Sequence, residues 1–164
     1  MLRDKNLVPL SRQHQHALAL CVRLDRALRA KEIELNAWQA EIAEIFQQEI
    51  AIHFEAEEKH LFPAAMKYLQ LCEVTQELIG EHARLRWLFA EAKDGRLDRK
   101  GLEIFARLLA EHIRKEERQL FEGMQKVMST GDLAEAGLAL QRELGEARQV
   151  CTVPGEATKL RPKA

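Results

Sequence analysis

Two stretches of this sequence repeat one another, HFEAEEKHLFP and HIRKEERQLFE, and each begins with a histidine. In each copy the histidine stands four residues before a glutamate, which pairs His53 with Glu57 and His112 with Glu116. On an α-helix, residues four apart lie over the same patch of surface. Imidazole nitrogens and carboxylate oxygens are both common metal ligands, so each pair can bind one ion.

The residues around each pair predict that it faces the protein core. Apolar residues stand seven and three residues before each histidine, and one and eight residues after it, which places the pair on the apolar face of its helix. Buried carboxylates and imidazoles without partners would each cost on the order of several kcal/mol, and the same faces offer no arginine or lysine nearby. A bound cation is therefore favoured, and a polar layer without metal is the alternative. Glu58 and Glu117 are expected to point away, about 100° further round the helix.

Two further histidines lie on apolar stripes of their own. His14 and His82 each have an apolar residue four positions before them and another three positions after them. His16 falls near arginines and is expected to be exposed or at the rim. His60 lies one turn beyond Glu57, but the second copy has Gln119 there, so His60 is expected to be an outer or rim group. The predicted metal ligands are His14, His53, Glu57, His82, His112 and Glu116.

This set of donors predicts two metal ions. One histidine from each of four helices plus two glutamates is an arrangement that helical bundles use for a dinuclear centre. Nitrogen and oxygen donors suit non-haem iron, with zinc or manganese as the alternatives. Each glutamate can bridge both ions while two histidines complete each ion. Positions are then left for an oxo or hydroxo bridge and for a small diatomic ligand.

Helical periodicity and cap residues predict the elements that carry these side chains. Four main helices are expected at about residues 9–30, 36–69, 73–93 and 98–128, followed by a shorter one at about 133–148. Ser11 and Asp98 are the expected caps, Pro63 should bend or close the second helix, and Gly95 should help stop the third. Short links favour an antiparallel up-down four-helix bundle with an additional C-terminal helix, an all-α fold. Residues 1–150 are expected to form one domain and residues 151–164 a mobile tail.

Composition limits the classes of partner. The net charge of −1 comes from acidic and basic residues spread along the whole chain, which argues against a nucleic-acid or membrane partner. No apolar run is long enough for a membrane span or a secretory signal, so a cytoplasmic location is expected. The three cysteines lack CxxC spacing and fit reduced thiols. Cys21 lies two turns after His14 and is either a redox or rim group or, more commonly for such a residue, part of the core. Trp38 and Trp87 are expected to be packing residues.

Four motifs in order, PLSRQHQHAL, HFEAEEKHLFP, EHARLR and HIRKEERQLF, resemble the hemerythrin-like domains, also called HHE cation-binding domains. The resemblance covers about residues 7–128. It implies a four-helix bundle with a di-iron centre bridged by two carboxylates. Carried over residue by residue, the iron ligands of the family fall on the same six residues that the helical phase selects.

The sequence departs from oxygen-carrying hemerythrins at two positions. Those proteins have a second histidine one turn after the first on the third helix, where this chain has Arg86. Their aspartate on the last helix stands five residues after the histidine, whereas Glu116 stands four residues after His112. Arg86 is expected near the mouth of the site. Reversible oxygen storage is therefore disfavoured, and the chain is more similar to bacterial hemerythrin-like proteins implicated in oxygen, nitric oxide or redox responses and iron handling.

Three functional hypotheses fit these residues. The first is a protein that binds O2 or NO at a di-iron centre, or senses oxygen or redox state, without turning over an organic substrate. The second is an enzyme with peroxidase, NO-reducing or oxidase-type chemistry, or with iron donation for iron–sulfur cluster repair. The third is a bundle that metal only stabilises. The sequence does not identify a protein partner.

Overall fold

The computed structural model describes residues 2–30 and 33–146, and within these ranges the chain forms helices and no strand. The predicted all-α fold is confirmed. The helices are α1 at Val8–Arg29, α2 at residues 35–65, α3 at Leu69–Lys93, α4 at residues 99–127 and α5 at Thr130–Glu146.

Helices α2 and α4 contain π-helical turns, which the sequence analysis did not predict. In α2, α-helical segments at Leu35–Ile45, Ala51–Ala56 and Phe62–Ala65 are separated by π-helical turns at Phe46–Ile50 and Glu57–Leu61. In α4, a π-helical turn at Glu116–Phe121 joins α-helical segments at Arg99–Lys115 and Glu122–Val127. Such turns occur often at functional sites. Here one π-helical turn begins at Glu57 in α2 and another begins at Glu116 in α4.

The first four helices pack as an up-down bundle. Helix α1 packs along α4, α2 packs along α3, and α3 also contacts α4. Helix α5 lies outside the four-helix arrangement, across the middle and second half of α2. The predicted additional C-terminal helix is therefore part of the packed structure.

The interior contains two apolar clusters. The first includes Leu24, Trp38, Leu85, Phe89 and Phe105. The second includes Leu10, Phe62, Leu78, Phe121 and Leu140 from α5. Full burial of each such side chain contributes roughly 1.5–3 kcal/mol. His82 stands between Leu78 of the second cluster and Leu85 of the first, and the other predicted ligands fall at the same junction on their own helices. The two clusters therefore enclose a layer of polar residues.

Several helix boundaries follow the predicted signals and two differ from them. Asp98 caps α4, where its side chain accepts a hydrogen bond of 2.7 Å from the backbone N–H of Gly101. Gly95, with φ of 69°, follows the end of α3, as a residue in the left-handed region commonly does. Ser11 does not cap α1, because Pro9 already lies in the first turn and the helix begins at Val8. Helix α3 begins earlier than predicted, at Leu69, because α2 ends soon after Pro63.

Trp38 is buried in the first cluster, but Trp87 is 59 % exposed on α3, so its prediction as a packing residue was wrong. Its position on the outer face of α3 leaves it without a core to enter. No helix of the described part is long and apolar enough to cross a membrane. The predicted mobile tail at residues 151–164 and the predicted end of the last helix lie outside the described residues.

Candidate metal centre

All six predicted ligands meet in the polar layer between the two apolar clusters. Each is at most 4 % exposed. Helix α1 contributes one histidine, α3 another, and α2 and α4 contribute a histidine and a glutamate each. The six are His14, His53, Glu57, His82, His112 and Glu116.

The first half-site lies between α1 and α2 and contains His14 and His53. Their Nε2 atoms are 3.1 Å apart. Glu57 Oε1 lies 3.2 Å from Nε2 of His53, and Glu116 Oε2 lies 3.1 Å from Nε2 of His14. Two imidazole nitrogens bound at about 2.1 Å to one metal ion, roughly at right angles, are about 3 Å apart. The donor atoms of these four residues are close enough to share one ion.

The second half-site lies between α3 and α4 and contains His82 and His112. Glu57 Oε2 lies 3.4 Å from Nε2 of His82, and Glu116 Oε2 lies 3.5 Å from Nε2 of His112. Glu116 Oε1 is 3.9 Å from Nε2 of His82. Glu57 thus directs one carboxylate oxygen towards each half-site, as a bridging ligand does.

Six of the eight donor atoms that face the centre lack a hydrogen-bond partner, while the Nε2 atoms of His14 and His53 face each other. Within the described part of the chain, both carboxylate oxygens of Glu57 and Glu116 and the Nε2 atoms of His82 and His112 are buried without a hydrogen bond. Buried polar atoms in folded proteins are nearly always paired. Nitrogen and oxygen donors converging on one point fit a pair of cations of the iron, zinc or manganese type.

The electrostatics of the layer also favour positive charge. Burial alone would lower the pKa of His14, but its contacts with Glu116 and Glu117 outweigh this and raise the pKa to about 10. Burial likewise opposes protonation of His82, whose pKa is nevertheless raised by Glu57. The pKa of Glu57 lies well below its usual range because His53 and His82 outweigh the effect of burial. Protons and metal ions therefore compete for the same donors.

A second set of residues, the outer ring, holds the far side of each imidazole. The Nδ1 atoms of His14, His53, His82 and His112 lie 2.7, 2.8, 2.7 and 2.9 Å from oxygen atoms of Glu117, Gln13, Glu58 and Glu81, respectively. In this arrangement each Nδ1–H donates outwards and each Nε2 atom faces the centre, where it can bind an ion once it carries no proton. Such partners fix the orientation of the ring and raise its strength as a ligand.

Sequence reasoning missed the outer ring. Glu58 and Glu117 do point away from the ligand patch of their own helix, as expected, but each reaches a histidine of a neighbouring helix. A signal was present, since the repeat conserves the doubled glutamate in both of its copies. Gln13 and Glu81 each directly precede a ligand histidine, which is a weaker signal.

Cations clamp the three carboxylates of the outer ring. Arg3 lies 2.5 Å from Glu117, and Lys115 lies 2.5 Å from Glu81. Arg86 pairs with Glu58, and its guanidinium lies 5.3 Å from the centre of the Phe54 ring, which stacks on His82 at 3.8 Å. Arg86 is thus one layer outside His82.

The other residues named from the sequence lie further from the centre. His60 is 3.1 Å from Glu143 of α5, on the side of α2 that α5 covers. His16 is largely exposed and lies 3.1 Å from Glu49. Cys21 is buried in the first apolar cluster, where burial raises its thiol pKa to about 12.

A small cavity adjoins the centre on the side of the first apolar cluster. Its volume is about 10 Å³, which is roughly the space that one water molecule requires. The ligands His14, His53, His112 and Glu116 form one wall. The remaining lining is Gln13, Ala17, Ile45, Glu49, Ile50, Phe54, Leu109 and Ile113. The cavity offers an apolar space for one very small molecule.

A buried centre of four imidazoles and two carboxylates in a helical bundle defines a metal-binding helical protein. A family model described as the hemerythrin HHE cation binding domain matches residues 8–123. The chain belongs to this family. Comparisons with curated proteins and with solved structures gave no significant match. The matched segment contains the six predicted ligands and the whole outer ring.

Proposed function

We propose that this protein binds two iron ions through the six buried residues, with Glu57 and Glu116 bridging the pair. The observation that carries the proposal is the set of buried donor atoms without hydrogen bonds, because cations bound between them would compensate all of them. When bound, iron would supply the redox chemistry and the open coordination positions that side chains lack.

The residues around such a pair of ions have three roles: they orient the histidines, exclude bulk water and restrict motion of the rings. The outer ring accepts the Nδ1–H of each histidine, which keeps the Nε2 lone pairs directed inwards. The two apolar clusters keep bulk water away from the layer on both sides. The clamped carboxylates limit the motion of the rings, so the donors are preorganised for the ions.

We further propose that the centre takes up a diatomic molecule, O2 or NO, and thereby senses oxygen or redox state. The cavity beside the first half-site supports this, since it is mostly apolar and has room for only one very small molecule. An organic substrate of ordinary size has no space there. An enzyme acting on O2, NO or peroxide would use the same cavity and is separated from a sensor only by turnover.

Metal analysis tests the first part of the proposal. Protein purified after expression with ample iron is expected to contain two iron ions per chain. It should also show a near-ultraviolet band from charge transfer between an oxo group and ferric iron. His53→Ala and His112→Ala should lower the iron content, whereas His16→Ala, which changes an exposed histidine, should leave it at two. Fewer than one iron per chain in the unaltered protein would contradict the proposal.

Rapid mixing of the reduced protein with O2, NO or peroxide tests the second part. A binding or sensing protein should show one spectral change that saturates at a fixed ratio of gas to centre. Repeated consumption of the added molecule in the presence of a reductant would instead show an enzyme. No spectral response to O2 or NO would contradict a diatomic ligand.

A further inference from the structure

The four histidines of the centre are not supported equally by the outer ring. Three of them donate to carboxylates, but His53 donates to the side-chain carbonyl of Gln13, a neutral amide. Gln13 also lacks the kind of cation that clamps each carboxylate of the ring, because it carries no charge for one to pair with. The first half-site therefore has one carboxylate-supported histidine and the second half-site has two.

The contacts within the two helix pairs, α1 with α2 and α3 with α4, show this as a single break in an otherwise matched arrangement. Gln13 precedes His14 and accepts from the histidine of the next helix, and Glu81 precedes His82 and does the same on α4. Likewise, Glu58 and Glu117 follow the two bridging glutamates and accept from α3 and α1. Gln13 thus stands where the other half of the molecule has a glutamate.

The difference in charge changes the strength of the ligand. A carboxylate that accepts from Nδ1–H shifts electron density into the imidazole ring and makes Nε2 a stronger donor. A neutral amide accepts a weaker hydrogen bond than a carboxylate and does this less. Removing such a partner typically costs about 10–100-fold in metal affinity, so one amide among three carboxylates is enough to separate two otherwise similar half-sites.

The cavity lies on the same side as the weaker support. Both histidines of the first half-site line it, together with Gln13, whereas His112 is the one histidine of the second half-site in its wall. A small molecule that enters the cavity therefore meets two histidines of the first half-site and one of the second. Phe54 stacks on His82, which does not line the cavity.

We infer that Gln13 makes the His14–His53 half-site the weaker and exchangeable one, while the His82–His112 half-site retains its ion. The inference rests on the proposed pair of metal ions. It adds that the ion of the His14–His53 half-site is released before the other ion. Gln13 acts as a positioning residue, through His53. The protein then has a stable state with one ion, held on α3 and α4.

Extraction of iron by a chelator tests the inference. The full chain is loaded with two iron(II) ions without oxygen and mixed with excess ferrozine, whose absorbance records each released ion. Two phases of one ion each are expected. Gln13→Glu, which is nearly isosteric, should slow the fast phase by roughly 10–100-fold and leave the slow phase unchanged.

The mirror substitution provides the matched control. Glu81→Gln should leave the fast phase unchanged and speed the slow phase, so that the two phases approach one another. Circular dichroism of each variant verifies that the helices are intact. Release of both ions from the unaltered protein in one phase would overturn the inference, and so would an effect of Gln13→Glu on the slow phase. Failure to load two ions at all would instead contradict the proposed function.

Discussion

Helices α2 and α4 carry the same motif, but their surroundings differ. In both, the histidine and the glutamate four residues after it face the centre, and the next glutamate accepts a hydrogen bond from a histidine of another helix. A π-helical turn begins at Glu57 in α2 and at Glu116 in α4. Within the described residues, α5 packs against the copy on α2, where Glu143 contacts Lys59 and His60. Gln119, the residue of α4 that matches His60, is exposed. The residues that the centre requires are repeated, and those that pack α5 are not.

The largest effect is expected from substitution of the two bridging glutamates, Glu57 and Glu116, which should be equivalent. Glu57→Gln and Glu116→Gln should each weaken binding of both ions by more than about 100-fold, because each residue serves both half-sites and its loss exceeds that of an outer partner. Titration with iron(II) without oxygen measures this. Glu55→Gln, at an exposed position of α2, is the control and should bind normally. Loss of a single ion in either bridging variant would show that the two copies are not equivalent.

Acid should weaken metal binding at the centre. The pKa of His14 is raised to about 10 in the metal-free protein, so a bound ion must displace that proton throughout the neutral range. Affinity should fall by about tenfold for each pH unit between 8 and 6 for every proton displaced. Titrations at several pH values, with proton release followed in weak buffer, measure the slope. An affinity independent of pH would contradict competition between protons and metal.

Removing apolar contact between α5 and the bundle should lower stability without changing metal content. Leu140 is fully buried in the second cluster, so Leu140→Ala is expected to lower the free energy of unfolding by about 2–5 kcal/mol. Leu138 on the same helix is 56 % exposed, and Leu138→Ala should have little effect. Urea unfolding and metal analysis together test this. Loss of iron from Leu140→Ala would show that α5 supports the centre as well as the fold.

The smallest expected effect concerns the position at which the two copies diverge. His60→Ala should lower stability slightly, since it removes a partly exposed contact with Glu143. Gln119→Ala at the matching position should change nothing measurable. Both variants should keep two iron ions per chain. A loss of iron from His60→Ala would make it part of the centre.

The sequence was sufficient for the residues that share a helix face. A rotation of about 100° per residue relates each histidine to the apolar residues around it, and this phase alone selected the six side chains that the structure brings together. The same reasoning gave the all-α bundle, and Asp98 and Gly95 marked real helix boundaries.

What the sequence could not provide depends on contacts between helices. Glu58 points away from its own ligand patch in any single-helix view, and only the packing of α2 against α3 brings it to His82. The π-helical turns alter the phase locally and have no simple composition signal. The prediction that Trp87 packs in the core was wrong because the residue type alone does not show whether a neighbouring helix covers that face of α3.

The internal repeat bears on how the centre could be simplified. The hairpin of α3 and α4 by itself includes His82, His112, Glu116 and two residues of the outer ring, Glu81, which supports His112, and Glu117, which supports His14 of α1. Two identical copies of that hairpin, related by a twofold axis, would supply four imidazoles, two bridging carboxylates and a ring composed only of glutamates. A symmetric homodimer of about half this length would thus contain every donor of the natural site, with the inequality introduced by Gln13 removed.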